Sequence, residues 1–196
     1  MTPKRILIAT TNKGKMDDIR EIFKDLNLEI LSFLDFDNYP EVIEDADTFK
    51  ANAIKKAKAA YDLFKLPVIA DDSGLSVKQL NGAPGVISAR YAGENASDDD
   101  NNKKLIRELE KFSEPHLAKY ICVAVYYDGT HLKVVDGDCM GRIIRQGRGT
   151  NGFGYDPYFI PDGYELTMGE LSLREKNQIS HRLKAFDQLK EILIKL

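Results

Sequence analysis

The sequence predicts an α/β protein built around a mixed β-sheet. Short apolar runs of strand character alternate along the chain with segments whose apolar residues recur at helical spacing. Between residues 117 and 144 the pattern changes to successive strands, with Asp128-Gly129 as a hairpin turn. Alternating strands and helices favour parallel pairing, whereas a hairpin adds antiparallel strands. We therefore expect a central sheet with both kinds of pairing, flanked by helices.

The first half of the chain predicts two strands and two helices. Residues 6–8 form a buried strand, and a helix follows over residues 16–26. A second helix is predicted over residues 48–64, with Asp47 as its N-terminal cap. The stretch "LPVIADDSGL" then predicts a short apolar strand that ends in two carboxylates and a glycine turn.

The second half predicts three helices around the strand region. Ser97 followed by three aspartates indicates a helix start, because a hydroxyl and first-turn carboxylates satisfy the free amides and the helix dipole. The apolar residues of this helix continue to Phe112. Ser172 and Glu175 fit a capping box that opens a short helical turn, and a closing amphipathic helix begins near Ser180.

Size and composition favour a single domain spanning residues 1–196, because 43% hydrophobic residues can form a sizeable core. The formal net charge of -3 provides no basic field, which argues against a protein that binds duplex DNA or RNA. Cys122 and Cys139 lack the spacing of a disulfide framework or a zinc site, and no apolar run approaches the ~20 residues of a membrane span. We therefore expect a cytoplasmic protein that binds neither nucleic acid nor membrane.

The stretch "ATTNKGK", residues 9–15, places two hydroxyls, an amide and two lysines between the first strand and the first helix. Backbone amides and the positive end of a helix can surround a phosphate there, and Lys13 and Lys15 add mobile positive charge. The turn is therefore a candidate site for a polyphosphate. It lacks the glycine pattern of a Walker loop or of a dinucleotide-binding fingerprint, and a capped turn without a ligand is the alternative interpretation.

Asp71 and Asp72 form a second candidate cluster directly after the apolar run "VIA". Adjacent carboxylates at the carboxyl end of a strand repel each other unless a cation or hydrogen bonds offset their charge. Mg²⁺ would do so, because it takes one or two protein carboxylates together with substrate phosphates, and it gives the acidic loop "EVIEDADTF" a role. The alternative is a polar turn in which Asp72 or Ser73 caps a helix.

Two further segments could contact a nucleoside. In "QGRGTNGFGYDP" the glycines allow close approach of the backbone, and Phe153 or Tyr155 offers a face on which a base can stack. His181 and Arg182 stand at the positive end of the last helix, where cations are unfavourable unless an acceptor or anion is present. The alternative for these residues is an ordinary structural role in the core or at the surface.

Together the motifs resemble those of one family. "TTNKGK", "TFKANAIKKA", "ADDSGL", "GAPGVISARYAG", "GFGYDPYFIP" and "EKNQISHR" occur in the order and spacing typical of the inosine/xanthosine triphosphate pyrophosphatase family. The resemblance extends from Ile6 through the last predicted helix. It implies a Mg²⁺-dependent hydrolase that converts ITP, dITP or XTP to the monophosphate and pyrophosphate. It also implies an elongated α/β fold with two lobes and a nucleotide cleft between them, usually as a homodimer.

Carried over by position, the resemblance implies a role for each motif residue. Asp72 would be the base that activates water and would also bind the metal, with Lys15 as a second catalytic residue. Glu44 and Asp71 would complete the metal site. The expected substrate-binding residues are Thr10, Thr11, Asn12, Lys13, Gly14, Lys15 and Lys56 for the phosphates, Ser73 beside them, and Phe153, Gly154, Tyr155, Asp156, Lys176, His181 and Arg182 for the nucleoside.

The implied base pocket predicts which purines are accepted. Donors such as Lys176 and Arg182 suit the 6-oxo acceptor of hypoxanthine or xanthine and oppose the amino donor of adenine. Guanine differs from hypoxanthine by one exocyclic amine, whose unpaired burial costs about 1–3 kcal/mol. We therefore expect ATP to be excluded and the pocket to crowd the 2-position of guanine. Ala46 and Asn151 depart from the family's pattern, in which glycine is common at both positions.

Three other functions compete with this one. A septum-inhibitor type of nucleotide pyrophosphatase shares the fold and the reaction but prefers other nucleotides, and the "SHR" and "GFGYDP" elements argue against it. A nucleotide-sensing module without turnover would not need Asp71, Asp72 and Lys15 intact. A nucleic-acid binder that stacks bases on the aromatic loop should have a basic stripe, which the overall acidity does not provide.

Overall fold

The structure, a computed structural model, describes residues 3–195. Its strands are β1 (Lys4–Ile8), β2 (Leu28–Ser32), β3 (Val68–Val77), β4 (His116–Tyr127), β5 (Leu132–Ile143) and β6 (Phe159–Pro161). Its α-helices are α1 (Lys13–Phe23), α2 (Phe49–Phe64), α3 (Asp98–Leu109), α4 (Leu173–Ile179) and α5 (His181–Leu193).

The strands form one six-stranded sheet in the order β2-β1-β3-β4-β5-β6. Strand β1 pairs in parallel with β2 and with β3, whereas β5 and β6 are antiparallel. In the turn between β4 and β5, the carboxylate of Asp128 accepts hydrogen bonds from the backbone N–H groups of Thr130 and His131. The predicted α/β fold with a mixed sheet is therefore confirmed.

The chain divides into two compact units, each with its own core. The first unit comprises Met1–Asp72, Cys122–Gly137 and Arg182–Leu196, and the second comprises Ser73–Ile121 and Asp138–His181. In the first unit, Ile69 packs with residues of α1 and α5, whereas its neighbours Val68 and Ala70 pack with α2. Successive side chains of a strand point to opposite faces, so this part of β3 is buried on both sides.

The core of the second unit is formed by one cluster of apolar and aromatic side chains. Leu75 of β3, Leu105 of α3, Tyr120 of β4 and Phe159 of β6 are buried in it, together with Tyr155 from the glycine segment. The segment that contains the predicted nucleoside-binding turn is therefore anchored to a packed core rather than to a surface loop.

The predicted helices are confirmed, and four predictions are wrong in detail. Helix α1 spans Lys13–Phe23 rather than residues 16–26. The capping boxes of Ser97 and Ser172 are both present. Helix α2 is capped by Thr48 rather than by Asp47, because the Thr48 hydroxyl accepts from the backbone N–H of Ala51 at 3.2 Å. Helix α3 ends before Phe112, and β3 does not end at its carboxylates but continues to Val77.

Both cysteines, Cys122 and Cys139, are buried free thiols. No helix within residues 3–195 is long and apolar enough to cross a membrane.

His116, the first residue of β4, is fully buried. Its Nδ1 atom lies 3.0 Å from Gln79 Oε1, which can only accept, so Nδ1 carries the proton of a neutral ring. Nε2 has no hydrogen-bond partner among the described residues. Burial lowers the pKa of His116, and Arg145 lowers it further against the opposing effect of Glu114.

We expect this histidine to make the fold sensitive to acid. The unfolded chain binds the proton more readily, so the contribution of the neutral ring is complete above a pH of about 6.5 and is lost as the pH falls further. The free energy of unfolding from urea titrations should fall more steeply in the unmodified protein than in His116→Gln, by up to about 1.4 kcal/mol per pH unit. Equal slopes for the two proteins would contradict this expectation.

Candidate active site

Asp71 and Asp72 are neighbours in β3, yet their side chains have different surroundings. Asp71 contacts Lys15 of α1 and Arg182 of α5, whereas Asp72 contacts Asn52 and Lys56 of α2. This arrangement follows from the alternation of side chains along a strand. Because the two carboxylates point to opposite faces of β3, they repel each other less than adjacent carboxylates on one face would. Each aspartate also contacts a different lysine.

Asp71 is held in its charged form by the cations around it. Its Oδ2 atom lies 2.9 Å from Lys15 Nζ and 3.8 Å from Arg182 Nε. Burial alone would raise the pKa of Asp71, but Lys15, Arg182 and Lys56 together outweigh this effect and keep the pKa well below its ordinary value. The sequence-predicted acidic pair and lysine-bearing turn are thus in direct contact.

The turn before α1 is a capped helix start. The Asn12 side chain accepts from the backbone N–H of Lys15 at 2.9 Å, and the Thr10 hydroxyl accepts from the backbone N–H of Asn12 at 3.2 Å. Thr11 and Lys13 are exposed, so their polar groups remain accessible to solvent and solutes. The turn is therefore a capped helix start with an accessible, positively charged edge. That it binds phosphate stays a prediction.

Asp72 lies between an amide and an ammonium group. Its Oδ2 atom accepts from Asn52 Nδ2 at 3.0 Å, and its Oδ1 atom is 3.8 Å from Lys56 Nζ. The same ammonium lies 3.2 Å from Glu44 Oε2. Burial is the main reason that the pKa of Asp72 rises to about 6; Lys56 opposes the rise and Glu44 adds to it. At neutral pH this carboxylate is mostly ionised and more basic than an ordinary aspartate.

Glu44 and Asp72, which both contact Lys56, are carboxylates of the kind that can hold a divalent cation. No group of three or more His, Cys, Asp or Glu side chains within residues 3–195 is arranged to hold a metal by itself. Mg²⁺ requires less, because it commonly uses one or two protein carboxylates and takes its other ligands from phosphates and water. The negative charge of Glu44 disfavours ionisation of Asp72, and a nearby divalent cation would relieve that repulsion. Asp71, directed toward Lys15, stays only a predicted ligand.

In the second unit, Asp156 organises the glycine segment. Its carboxylate accepts from the Phe153 backbone N–H at 3.0 Å, from the Tyr120 hydroxyl at 3.2 Å and from Lys176 Nζ at 2.9 Å. Lys176 Nζ also lies 4.7 Å from the centre of the Phe153 ring. The ring of His181 stacks on Tyr120, with ring centres 4.8 Å apart. The predicted nucleoside-binding residues of this unit therefore form one connected cluster of aromatic rings and buried charges.

Gly152 allows the close approach on which this cluster depends. It has φ +80°, and a Cβ atom at this position would overlap Asp156 Oδ2. We expect Gly152→Ala to lower the free energy of unfolding by about 1–3 kcal/mol more than Gly163→Ala, because it disrupts the hydrogen bonds of a buried carboxylate. Gly163 is a matched control, since it has φ +83° with nothing within 4 Å of an added Cβ. Urea titration measures both effects, and equal losses would contradict the prediction.

Arg182 lies in a different environment from Lys176. It is buried in the first unit, where its Nη1 atom donates to Asp18 Oδ2 at 2.6 Å. The structure thus groups Lys15, Lys56, Asp71, Asp72 and Arg182 in the first unit, and Phe153, Gly154, Tyr155, Asp156, Lys176 and His181 in the second. Ser73, half buried, follows Asp72 in β3. The predicted contact of Arg182 with a base remains a prediction.

Sequence reasoning missed Asn52, Asp18 and Tyr120. Asn52 is an amide in the middle of a helix, where it is unfavourable, and its Oδ1 atom accepts from the backbone N–H of Ala46 at 3.0 Å. Asp18 lies on the apolar face of α1, and a charge on such a face signals a buried partner. Tyr120 gives no signal, because tyrosine is common in strands. Alanine at position 46, where glycine is common in the family, is compatible with the contact to Asn52, since the backbone of residue 46 makes that contact.

Comparisons with known proteins identify the family. The family model of the Ham1 family matches residues 6–192. A dITP/XTP pyrophosphatase of Geobacter sulfurreducens is 47% identical over 191 residues, which cover 96% of each chain. A dITP/XTP pyrophosphatase of Geobacillus kaustophilus is 48% identical over 190 residues, covering 96% of this chain and 93% of its own.

Solved structures agree with the sequence comparison. The structure of a HAM1 protein from Coxiella burnetii has a TM-score of 0.90 and 38% identity, and the match covers 98% of this chain and 100% of that one. The Staphylococcus aureus Ham1 protein has a TM-score of 0.87 and 41% identity, with 98% and 99% covered. Since family model, relatives and structures agree over nearly the whole chain, the protein belongs to the Ham1 family.

Proposed function

We propose that this chain is a nucleoside triphosphate pyrophosphohydrolase that converts ITP, dITP and XTP to the monophosphate and pyrophosphate with the help of Mg²⁺. The observation that carries the proposal is the contact of Lys15 with Asp71, which joins the lysine-bearing turn to the strand that carries the basic carboxylate of Asp72. The names of the relatives, dITP/XTP pyrophosphatases of matching length, support the same substrate class.

The first unit would bind the triphosphate. The turn formed by residues 10–15 offers hydroxyl, amide and ammonium donors, and Lys56 of α2 adds a second ammonium group. Lys15 and Lys56 each contact a carboxylate in the free protein. Phosphate oxygens can replace these carboxylates as partners of the two ammonium groups, so the lysines stay paired with negative charge when a triphosphate binds. These residues would neutralise the charge that builds up on the α-phosphate and on the departing pyrophosphate.

Asp72 would act as the general base. Its carboxylate takes a proton from water while the water oxygen attacks the α-phosphorus, and the bond from that phosphorus to the bridging oxygen of the leaving pyrophosphate breaks. Asn52 fixes one carboxylate oxygen and leaves the geometry of the other to be set by Lys56 and the substrate. Mg²⁺ held by Glu44 and Asp72, with Asp71 as a further predicted ligand, would supply positive charge to the phosphates.

The second unit would bind the nucleoside. Phe153 offers a ring for stacking, and Gly154 and Tyr155 continue the turn that carries it. Lys176, oriented by Asp156, would donate to the 6-oxo group of the base. His181, stacked on Tyr120, would add to these base contacts. Arg182, which belongs to the first unit, is a further predicted base contact.

The test is pyrophosphate release from ITP, dITP, XTP, GTP and ATP, each with and without Mg²⁺. We expect the first three to be hydrolysed only with a divalent cation, GTP to be slower and ATP to be nearly inert. Hydrolysis of ATP at the rate of ITP would overturn the base assignment. Turnover that is unchanged by a chelator would overturn the role of the metal.

The proposal includes a single catalytic domain over residues 1–196 that acts as a homodimer in the cytoplasm, with a small-molecule substrate and neither nucleic acid nor membrane as a partner. Sedimentation equilibrium measures the mass in solution, and a mass of one chain at micromolar concentration would remove the homodimer from the proposal.

A further inference from the structure

We propose that Asp98 and Asn102 of α3 are positioning residues that fix the Gly154 turn in the geometry needed to bind a purine base. This inference rests on the proposed function. Neither residue belongs to the motifs on which the resemblance to the family rests. Together the side chains of Asp98 and Asn102 form the Gly154 clamp.

The clamp engages both main-chain polar groups of one glycine. The backbone N–H of Gly154 donates to Asp98 Oδ2 at 2.7 Å, and Asn102 Nδ2 donates to the Gly154 carbonyl oxygen at 2.9 Å. Residues four positions apart lie on the same face of a helix, one turn above the other, so a single helix face holds both ends of the glycine.

Gly154 is a residue that needs such a restraint. It has φ +63°, and no atom lies within 4 Å of the place where a Cβ would be, so side-chain packing does not hold it. Glycine also loses more conformational freedom on ordering than any other residue. Because its two peptide units connect directly to Phe153 and Tyr155, hydrogen bonds to its N–H and carbonyl fix the orientation of the backbone that carries both rings.

Helix α3 is suited to carry the clamp. Leu105 and Leu109 anchor it in the core of the second unit. Asn101 adds a bond from its Nδ2 to the Ala89 carbonyl at 3.1 Å and accepts from the Ala92 N–H at 2.8 Å. Asn102 is itself 4% exposed, so its bond to Gly154 forms in an environment from which water is largely excluded.

Three variants separate the two hydrogen bonds. Asn102→Asp removes the donor to the Gly154 carbonyl, Asp98→Ala removes the acceptor for its N–H, and Asp98→Asn keeps an acceptor in place. We expect the first two to raise KM for ITP by about threefold to tenfold, with kcat and inhibition by inorganic pyrophosphate changed by less than about twofold. Asp98→Asn should restore KM to within about twofold of the unmodified protein.

Asp99→Ala is the matched control. Asp99 lies in the same turn of α3, is exposed, and pairs with Lys103 rather than with the turn. It should leave KM and pyrophosphate inhibition unchanged. A general loss of structure would instead raise KM and weaken pyrophosphate inhibition together, which would overturn a specific positioning role.

A second readout does not depend on turnover. Amide hydrogen exchange of the Gly154 N–H should be faster in Asp98→Ala than in Asp99→Ala, because only the former loses the acceptor. Unchanged exchange in Asp98→Ala overturns the clamp, and faster exchange with unchanged KM overturns its positioning role. If the unmodified protein hydrolyses none of the triphosphates, the proposed function fails, whereas the exchange rates still support or overturn the clamp on Gly154.

Discussion

Replacing Asp72 with asparagine is expected to lower kcat for ITP hydrolysis by about 10²- to 10⁴-fold, the range typical of a lost general base. Asparagine keeps the size of the side chain but cannot accept the proton of the attacking water at neutral pH. Pyrophosphate release measures kcat, and calorimetric titration with ITP measures binding, which should remain detectable because the lysines of the first unit are unchanged.

Asp62→Asn is the control for this substitution, since Asp62 is an exposed aspartate of α2 that pairs with Lys65. Its kcat should equal that of the unmodified protein. A kcat for Asp72→Asn within about threefold of the control would exclude Asp72 as the base and direct the search toward Glu44.

Replacing Arg182 with alanine is expected to lower the free energy of unfolding by about 3–5 kcal/mol, as found when one partner of a buried ion pair is removed. The side chains of Arg182 and Asp18 are both 1% exposed, and their charged atoms are 2.6 Å apart. Loss of the guanidinium leaves the carboxylates of Asp18 and Asp71 buried without this cation. The midpoint of urea unfolding, at constant slope, measures the loss.

Two further variants test whether that loss of stability comes from the buried ion pair. Arg145→Ala removes an exposed ion pair with Glu114 and should cost no more than about 1 kcal/mol. Asp18→Asn removes the other partner of the buried pair. If Arg182 also contacts the base, Arg182→Ala should change the ratio of ITP to GTP turnover and Asp18→Asn should not. Equal stability of Arg182→Ala and Arg145→Ala would contradict the buried pair.

The parts of the fold that were predictable from the sequence are those with local signals. The capping boxes at Ser97 and Ser172 and the hairpin at Asp128 depend on residues at most three positions apart, so a short window contains them. Strand β2 is partly exposed at the sheet edge, and β6 has only three residues. Such strands are defined by their partners, and the sequence alone does not contain that information.

The site was predictable to the extent that its residues carry motif or periodicity signals. The opposite directions of Asp71 and Asp72 follow from the two-residue period of a strand, once β3 is extended past them. The buried partner of Arg182 is different, because Asp18 is 164 positions away and only folding brings the two together. Long-range pairs of this kind require the three-dimensional structure.

The alternation along β3 has a consequence for how this protein tolerates genetic change. Two identical, adjacent amino acids are not duplicates of each other, since one meets Lys15 and the other meets Asn52. A single-codon deletion or insertion upstream in the strand would exchange the surroundings of every following side chain and destroy both contacts at once. Neither aspartate can therefore serve as a spare for its neighbour, although the gene encodes them in tandem.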